Sequence, residues 1–388
     1  MMHADQSPRH HRVLVVVPNP VGGIRTYLLN NCRRLAELGY VFTFLAPQGD
    51  AFNELKNDVK CWPDTQFIDV PVRGRRFLLW PSVRRAIIGG QFSLIHSQGL
   101  RAGVEVAFAS CFRGIPNITT LHDTRHESDI TGRFRWLKKR LIGWLAARAD
   151  VIVAVSHDCA NNHLAFFPEW KRSRCRIEVI NNGVDVGPLK AGATCDLESL
   201  RAQFGWNDEM KILGYFGRLM PEKGFLVLLD TIHELARRGL AERVRLVVTK
   251  DPHGYRGEYM REVAQDPLLS TMVRFIEPVA EIGTVLPQVD ILVMPSLWEA
   301  CGLLAMEAMV LGVPVVGSDA IGLREVLYNT PSFSPRAGDV GALADSIVDA
   351  IANGSGERAK AFVREASIRF DNRASSQKLH ELYDRICH

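Results

Sequence analysis

The sequence has 388 residues, of which 47% are hydrophobic and 23% charged, a composition typical of a globular protein. Its length exceeds that of one ordinary hydrophobic core and predicts two domains. No window approaches the ~20 apolar residues that cross a bilayer, and the polar start is unlike a signal peptide, so we expect a protein of the cytosol or of its membrane face. Eight cysteines without a Cys-x-x-Cys pair predict neither a disulfide framework nor a zinc site.

The net charge of +4 is unevenly divided along the chain. Residues 1–186 hold 25 Lys and Arg against 16 Asp and Glu, whereas residues 187–388 hold 22 against 27. This asymmetry predicts that the two halves meet different partners or surfaces.

The first half alternates strand and helix patterns from its first apolar run. Val13–Val17 has the length of a parallel strand that is covered on both faces. A helical pattern follows it and ends at Gly39, where glycine is favoured just beyond a helix. Later strands of this half are predicted at Val41–Leu45, Leu94–His96, Asn117–Leu121 and Val151–Val155.

The second half restarts the alternation. Strand, helix and strand at this spacing predict parallel sheets with right-handed crossovers. We therefore expect an α/β fold of two Rossmann-like, doubly wound domains facing across a cleft, with ligands at the carboxyl ends of the strands. The expected domains are residues 1–186 and 187–370, with a C-terminal helix over 371–388 packing back on the N-terminal domain. The strands predicted here are Ile212–Phe216, Arg245–Thr249, Val273–Ile276, Ile291–Met294 and Val313–Val316.

The strongest local signal is the segment from Glu299 to Glu307, which follows a predicted strand. A helix is predicted to begin near Gly302, a residue that lets the backbone come close to a ligand. The amides of Gly302, Leu303 and Leu304 would have no helical partners and would suit a diphosphate or a sugar hydroxyl. Within the helix, Glu307 can accept both hydroxyls of a ribose, and Glu299 can reach a sugar beyond the phosphates.

Two further loops carry residues that suit phosphate. Arg218 and Lys223 lie between the predicted strand Ile212–Phe216 and the next helix. Arginine offers a planar fork to phosphate oxygens, and lysine offers a point charge. Gly22 and Gly23 follow the first strand, where bare backbone can approach the same ligand from the other domain.

Together these motifs resemble the retaining GT-B glycosyltransferases of family 4. The order of the motifs is that of the family, and they span nearly the whole chain. Ala300 departs from the family pattern, as does the segment 322–326, and both departures concern the identity of the sugar. The resemblance rests on the Glu-x7-Glu spacing of Glu299 and Glu307, Gly217-Arg218-Leu219 with Lys223-Gly224, Gly22-Gly23, His122-Asp123, Ser156 and Asn182-Gly183-Val184-Asp185.

The resemblance implies transfer of a hexose from a nucleotide diphosphate sugar, with a uridine donor favoured. Arg218 and Lys223 would bind the diphosphate, and Glu307 would bind the ribose. Glu299 and the amides of 301–304 (Cys301, Gly302, Leu303 and Leu304) would hold the hexose. Two cations and a helix start can stabilise the charge that grows on the departing diphosphate, so neither a metal nor another cofactor is expected. Retention would come from attack on the face that the nucleotide leaves.

On the acceptor side, the resemblance places His122 beside the sugar and the acceptor. Asp123 and Ser156 would lie on the same side. Because the basic N-terminal half would hold the acceptor, we hypothesise that the acceptor is a lipid-linked glycan, a lipopolysaccharide or a polysaccharide.

Two basic stretches with aromatic residues, 73–85 and 133–148, have two interpretations. They are either solvated helices with a core face, or surfaces that bind an anionic membrane through lysine, arginine and tryptophan. The first contains Arg73, Arg75, Arg76, Arg84 and Arg85 around Phe77-Leu78-Leu79-Trp80. The second contains Arg133, Arg135, Lys138, Lys139 and Arg140 among Phe134, Trp136, Leu137, Leu141, Ile142 and Trp144.

Three other functions compete with glycosyl transfer. A nicotinamide dehydrogenase needs Gly-x-Gly-x-x-Gly after the first strand, which is absent here. A nucleotide-sugar epimerase of the same two-domain shape would also hold a diphosphate, and it remains the alternative. A nucleic-acid-binding protein is disfavoured because the basic residues lie among bulky aliphatic residues and no recognition module is present.

Overall fold

The computed structural model describes residues 11–72, 78–110, 114–194, 199–250, 256–279 and 281–387. The chain divides into two compact units. Unit 1 comprises Met1–Asn182 together with Asn372–His388, and unit 2 comprises Gly183–Asp371. The division after Asn182 lies four residues before the boundary that the sequence predicts between 186 and 187.

Unit 1 contains, over its described residues, a seven-stranded parallel sheet in the order β3-β2-β1-β4-β5-β6-β7. Its strands are β1 (Arg12–Val16), β2 (Val41–Pro47), β3 (Gln66–Val70), β4 (Leu94–Gln98), β5 (Asn117–Leu121), β6 (Val151–Ala154) and β7 (Arg176–Val179). The helices of unit 1 that precede unit 2 in the sequence are α1 (Gly22–Glu37), α2 (Asp50–Val59), α3 (Trp80–Gly89), α4 (Leu100–Ala109), α5 (Arg135–Ala146) and α6 (His157–Phe166).

Unit 2 contains, within the described ranges, a five-stranded parallel sheet in the order β10-β9-β8-β11-β12. Its strands are β8 (Lys211–Tyr215), β9 (Val244–Thr249), β10 (Val273–Ile276), β11 (Ile291–Met294) and β12 (Val315–Gly317). Its helices are α7 (Val186–Gly192), α8 (Leu200–Phe204), α9 (Phe225–Arg237), α10 (Arg256–Gln265), α11 (Pro267–Met272), α12 (Leu303–Val310), α13 (Leu323–Leu327), α14 (Val340–Ala352) and α15 (Ser355–Arg369).

The C-terminal helix α16 (Asn372–Cys387) belongs to unit 1, although unit 2 separates it from the rest of that unit in sequence. The Tyr383 hydroxyl lies 2.5 Å from Nδ1 of the fully buried His96 on β4. Arg385 forms an ion pair with Glu178 on β7 at 2.6 Å. These contacts, together with its packing on α1, tie the end of the chain to the unit in which the chain begins.

The first strand shows why its sequence is a continuous apolar run. Val13 packs with residues of α1, α2 and α16, including Leu28. The next residue, Leu14, points to the opposite face and packs with residues of α3 and α4, including Val106. Because successive side chains of a strand alternate between faces, a sheet covered by helices on both faces buries every position of its central strands.

The predicted α/β fold with two parallel sheets is confirmed. Each of the ten predicted strands is present to within about two residues at either end. The sequence missed two strands, β3 and β7, because both are edge strands with mostly exposed or half-buried residues. Such strands lack the apolar run from which the others were predicted.

None of the helices in the described ranges is long and apolar enough to cross a bilayer. Six of the eight cysteines are described, and all six are free thiols. The other two, Cys111 and Cys195, lie outside the described residues.

Candidate donor and acceptor sites

The loop that follows β8 carries the two predicted phosphate-binding cations of unit 2. Arg218 lies three residues beyond Tyr215, whose hydroxyl donates a hydrogen bond of 2.9 Å to the Arg218 carbonyl. Lys223 ends a short 3-10 turn, Pro221–Lys223. The tyrosine anchors the loop to the strand, so that both cations stay at the carboxyl end of β8.

Backbone contacts join this loop to the segment that follows the neighbouring strand β11. Gly224 has a φ of +69°, and a Cβ built on it would lie 1.9 Å from the Pro295 carbonyl oxygen. Only glycine fits this backbone conformation and this close approach. The Leu297 amide donates 2.8 Å to the Glu222 carbonyl. The segments carrying Lys223 and Glu299 are therefore fixed against each other.

The side chains of Lys223 and Glu299 form an ion pair. Lys223 Nζ lies 2.5 Å from Glu299 Oε1, with exposed side-chain fractions of 26% and 11%. The Ser296 hydroxyl contacts the same carboxylate oxygen at 3.4 Å. The structure thus brings together two residues that are 76 positions apart and that the sequence assigned to phosphate and to sugar.

The loop before α13 contacts the backbone of Glu299. The Glu299 amide donates 3.1 Å to the Ile321 carbonyl. Gly322 has a φ of +78°, and a Cβ there would lie 2.6 Å from the carbonyl oxygens of Glu299 and Ala300. The two departures from the family pattern, Ala300 and the segment from Gly322, therefore touch each other and shape the same corner of the site.

Helix α12 begins at Leu303, close to the predicted start, but one detail of that prediction is wrong. The Leu303 amide donates 3.1 Å to the Cys301 carbonyl, so it is already engaged. A Cβ on Gly302 would lie 2.5 Å from Leu323 Cδ1. Packing against α13 therefore also favours glycine at 302, and the approach of a ligand to its backbone stays a prediction.

Glu307 lies in the second turn of α12 and is half-buried. Burial raises the pKa of its carboxyl group to about 8, because a low-dielectric environment disfavours the charged form. At neutral pH the side chain is therefore mostly protonated, and it can both donate and accept a hydrogen bond.

In unit 1, His122 follows β5 and contacts two residues of neighbouring elements. Its Nε2 lies 2.7 Å from Oε1 of Gln98, the last residue of β4. Its ring meets the Tyr27 ring edge-on at 4.7 Å between centroids. Burial lowers the pKa of His122 to about 3, so the imidazole is neutral. Because the Gln98 oxygen only accepts, Nε2 carries the proton and Nδ1 is an acceptor.

Gln98 was not predicted as a site residue. It is fully buried, and its side chain reaches the histidine across two adjacent strands. The available signal was a polar residue at the carboxyl end of a buried parallel strand, the edge at which such sheets bind ligands.

Asp123 lies next to His122 within a small group of charged residues. It is bonded to Arg125, and it approaches His163 of α6 with 3.7 Å between Oδ1 and Nε2. Burial lowers the pKa of His163 to about 4, so that imidazole is also neutral. Arg125 further contacts Asp129 at 3.5 Å. The Asp123 side chain is 47% exposed, and a carboxylate is therefore presented to solvent beside His122.

The other predicted residues of unit 1 have clear local roles. The buried Ser156 is the N-cap of α6, and its hydroxyl accepts 3.0 Å from the Cys159 amide. Gly22 begins α1 with a φ of +53°. Gly23 is exposed, and a Cβ there would meet nothing within 4 Å. The start of α1 is thus open backbone, whereas the hydroxyl of Ser156 is occupied as a helix cap.

Several buried polar atoms of unit 1 lack a hydrogen bond among the described residues. Five of the eleven such atoms lie at or just after the carboxyl ends of β4, β5 and β7, where the strand ends meet, and the other six lie elsewhere in the unit. Leaving such an atom unbonded costs about 1–3 kcal/mol, so this edge is suited to a hydroxyl-rich ligand. The atoms at this edge are Gln98 Nε2, Asp123 Oδ1, Thr124 Oγ1, Arg125 Nε and Asn182 Oδ1.

Among the residues that the structure describes, no group of three or more His, Cys, Asp and Glu side chains could hold a metal ion. That the protein works without a metal stays a prediction.

Two protein-family models match the chain. Glycosyltransferase Family 4 matches residues 21–187, and Glycosyl transferases group 1 matches residues 210–353. The first range contains Gly22, Gly23 and His122, and the second contains Lys223 and the whole of α12. The chain belongs to the GT-B glycosyltransferases. This membership favours glycosyl transfer over the epimerase alternative.

Curated relatives of this glycosyltransferase carry the name D-inositol 3-phosphate glycosyltransferase. The relative from Rhodococcus erythropolis is 26% identical over 363 residues, which cover 84% of this chain and 79% of the relative. The relative from Corynebacterium jeikeium is 30% identical over 230 residues, which cover 56% of this chain and 54% of the relative. The match therefore spans about half the length of the second relative.

Solved structures share the fold of the glycosyltransferase along nearly the whole chain. Anabaena HepE in complex with UDP and glucose has a TM-score of 0.78 at 22% identity, covering 97% of this chain and 100% of that one. Sucrose-phosphate synthase from Thermosynechococcus elongatus has a TM-score of 0.75 at 18% identity, covering 97% and 99%. At these identities the likeness establishes the architecture.

Proposed function

We propose that this glycosyltransferase moves a hexose from a UDP-sugar to a glycan acceptor held at a membrane, with retention of configuration and without a metal. The observation that carries the proposal is the Lys223–Glu299 pair at the carboxyl end of the unit 2 sheet, beside the start of α12. A cation for phosphate and a carboxylate for sugar hydroxyls lie within hydrogen-bond distance of each other, at 2.5 Å. HepE, with the same architecture, was solved with UDP and with UDP-glucose.

The donor is proposed to lie along α12. Arg218 and Lys223 bind the diphosphate, and Glu307 binds the ribose. Glu299 binds the hexose together with backbone amides of 301–304 other than that of Leu303, which is already engaged. As the bond to the sugar breaks, negative charge grows on the diphosphate, and fixed cations already in place stabilise it. Because these groups are held by backbone contacts on both sides, little reorganisation is needed during the reaction.

His122 is proposed to act as a hydrogen-bonding group on the reacting sugar. A neutral imidazole whose Nδ1 accepts can bind a hydroxyl of the hexose or of the acceptor. Its pKa of about 3 makes it a poor source of a proton at neutral pH. This agrees with a reaction in which the leaving diphosphate receives the acceptor proton on the face where attack occurs.

The acceptor is proposed to bind at the carboxyl end of the unit 1 sheet. The buried polar atoms there that lack partners suit the hydroxyl groups of a glycan. Asp123 Oδ1, a buried oxygen without a hydrogen bond, presents an acceptor for further hydroxyl groups. We therefore propose the glycan moiety of a lipid-linked or polysaccharide acceptor, whose hydroxyl groups suit these atoms.

Helix α5 supports binding to an anionic membrane. Its fully buried residues are the small Gly143 and Ala146, and Ile142 and Leu145 are half-buried. The segment 133–148 holds six Lys and Arg residues and no carboxylate. A solvated helix with a core face would bury its large residues, but five of them are exposed here. The exposed fractions are 64% for Phe134, 61% for Trp136, 52% for Leu137, 52% for Leu141 and 54% for Trp144.

The other basic stretch, 73–85, extends the same surface. Helix α4 packs against both α3 and α5, so the three helices form one layer on unit 1. This layer also exposes Leu78 (60%), Ile88 (57%) and Phe108 (55%), and Arg84 and Arg85 of α3 are exposed. Residues 73–77 of the predicted stretch lie outside the described residues. We propose that the α3–α4–α5 layer holds the protein peripherally on the inner face of the cytoplasmic membrane.

Vesicle flotation tests the membrane surface. At low salt the protein should float with vesicles containing phosphatidylglycerol but not with pure phosphatidylcholine vesicles. The double variant Trp136→Ala/Trp144→Ala should lose most of this binding. Ile368→Ala, which removes a side chain 74% exposed in unit 2, is the matched control and should float normally. A wild-type protein that stays with the soluble fraction would refute membrane binding.

Turnover with a UDP-sugar panel tests the reaction. UDP release should require both a UDP-sugar and a lipid-linked glycan, and NMR of the product should show the anomeric configuration of the donor. D-inositol 3-phosphate is included as a second acceptor because of the relatives' name. Its use in place of the glycan would overturn the proposed acceptor, and an inverted product would overturn retention.

A further inference from the structure

The ion pair between Lys223 and Glu299 joins two groups that the proposed function assigns to different parts of the donor. It is short, at 2.5 Å, and only 11% of the Glu299 side chain is exposed. Its two segments are fixed by the Leu297–Glu222 backbone bond and by the contact of Gly224 with Pro295. A ligand phosphate that binds Lys223 therefore competes with Glu299 for its ammonium group, because neither side chain can be carried away by movement of its loop.

The two possible nucleotide ligands meet this pair differently. A nucleotide sugar brings phosphate oxygens for the lysine and hydroxyl donors for the carboxylate, so both partners of the pair are replaced. A nucleotide diphosphate brings only phosphate oxygens to this pair, because its ribose hydroxyls are assigned to Glu307. It takes the lysine but gives no donor to a largely buried carboxylate, and it adds negative charge beside that carboxylate.

We infer that Glu299 discriminates the intact nucleotide sugar from the nucleotide diphosphate by competing for Lys223. Once the sugar has been transferred, the carboxylate has lost its hydroxyl partners and takes back the lysine, which favours release of the diphosphate product. The inference rests on the proposed donor site, and it adds a role in product release to the binding of the hexose.

Isothermal titration with UDP and with UDP-glucose tests the inference on the full chain. Replacing the carboxylate, Glu299→Gln, should tighten UDP binding about fivefold, the size expected for loss of a competing, partly exposed ion pair. The same variant should bind UDP-glucose more weakly than the wild type. The ratio of the two dissociation constants should therefore change in favour of UDP, and inhibition of turnover by UDP should become stronger.

Two further variants separate competition from simple charge repulsion. Glu222→Gln removes a neighbouring carboxylate that has no role in the proposed site, and it should leave UDP affinity unchanged. In the background Lys223→Met, adding Glu299→Gln should no longer tighten UDP binding, because the competition acts through the lysine. Melting temperatures of all variants establish that they fold.

The outcomes are distinct. If UDP binds the wild type and Glu299→Gln binds it no more tightly, the inference is wrong while the donor site stands. If the gain persists in the Lys223→Met background, or appears equally in Glu222→Gln, repulsion explains it and competition is refuted. If neither UDP nor UDP-glucose binds the wild type, the proposed uridine donor and the inference fail together.

Discussion

The carboxyl ends of the two sheets carry polar residues in different states. In unit 2 the proposed phosphate cation Lys223 and the proposed sugar carboxylate Glu299 are bonded to each other at this edge. In unit 1 the corresponding edge leaves buried polar atoms without hydrogen bonds. Every buried side-chain nitrogen or oxygen without such a bond, among the described residues, belongs to unit 1.

This difference fits the two ligands that we propose. A diphosphate needs fixed positive charge, and a fixed cation is held in place by a counter-charge that the ligand later displaces. A glycan acceptor offers many hydroxyl groups, each of which donates and accepts, and it can satisfy groups that the protein leaves unbonded. A site for a charged ligand can thus be paired in advance, whereas a site for a hydroxyl-rich ligand is marked by missing hydrogen bonds.

The largest expected effect concerns the fixed charge of unit 2. Lys223→Ala should lower kcat/KM by about 10²–10³, corresponding to ~3–4 kcal/mol of lost transition-state stabilisation. Lys211→Ala is the matched control, because Lys211 contacts Asp290 at 3.5 Å at the amino end of β8. Steady-state kinetics would contradict the donor site if a folded Lys223→Ala variant kept near-normal activity.

A smaller effect is expected from Glu307. Its pKa is raised to about 8, so ribose hydroxyls that donate to the carboxylate must displace a proton. UDP affinity should therefore increase with pH between about 6 and 8, by up to about tenfold per unit, with proton release on binding. Titration in buffers of different ionisation enthalpy measures that release. An unchanged release in Glu307→Gln would refute this role.

The same raised pKa predicts the sign of a stability effect. The folded state holds the Glu307 proton more tightly than the unfolded state. The contribution of this group to the free energy of unfolding is therefore full below pH 4.5 and is lost as the pH rises through 8. Chemical denaturation at pH 5 and pH 9 measures this effect. The free energy of unfolding should fall less between the two pH values for Glu307→Gln than for the wild type.

The smallest expected effect concerns unit 1. Gln98→Met removes the oxygen that fixes the His122 tautomer, and it should lower kcat about fivefold, the value of one hydrogen bond, with little change in the KM for donor. Gln98→Glu keeps an acceptor at this position and should restore the tautomer. Nitrogen-15 NMR of the imidazole reports the tautomer directly.

The neighbouring variant Ser97→Ala serves as the control for Gln98. Ser97 is equally buried on β4 but points to the other face of the sheet. If Gln98→Met left both the tautomer and kcat unchanged, Gln98 would have no positioning role.

The fold could be predicted from the sequence where burial is two-sided. Runs such as Val13–Val17 identify central strands because helices cover both faces, whereas β3 and β7 escaped notice because edge strands expose polar residues. The motifs also located the loops of unit 2 correctly, since a parallel sheet brings the ends of β8 and β11 to one edge.

The contacts within the site could not be predicted in the same way. The Lys223–Glu299 bond joins residues far apart in sequence, and no local pattern encodes a side-chain distance. A Cβ on Gly302 would meet the Leu323 side chain, a packing relation that only the three-dimensional structure reveals. Gln98 was missed because the predicted strand stopped at His96, two residues short of the end of β4.

Hydrogen exchange of the full chain with and without UDP tests the central claim most directly. We expect saturating UDP to slow amide exchange in the segments 217–224 and 297–307 of unit 2. Bound UDP with unchanged exchange in both segments, and slower exchange only around 98–126 of unit 1, would contradict it.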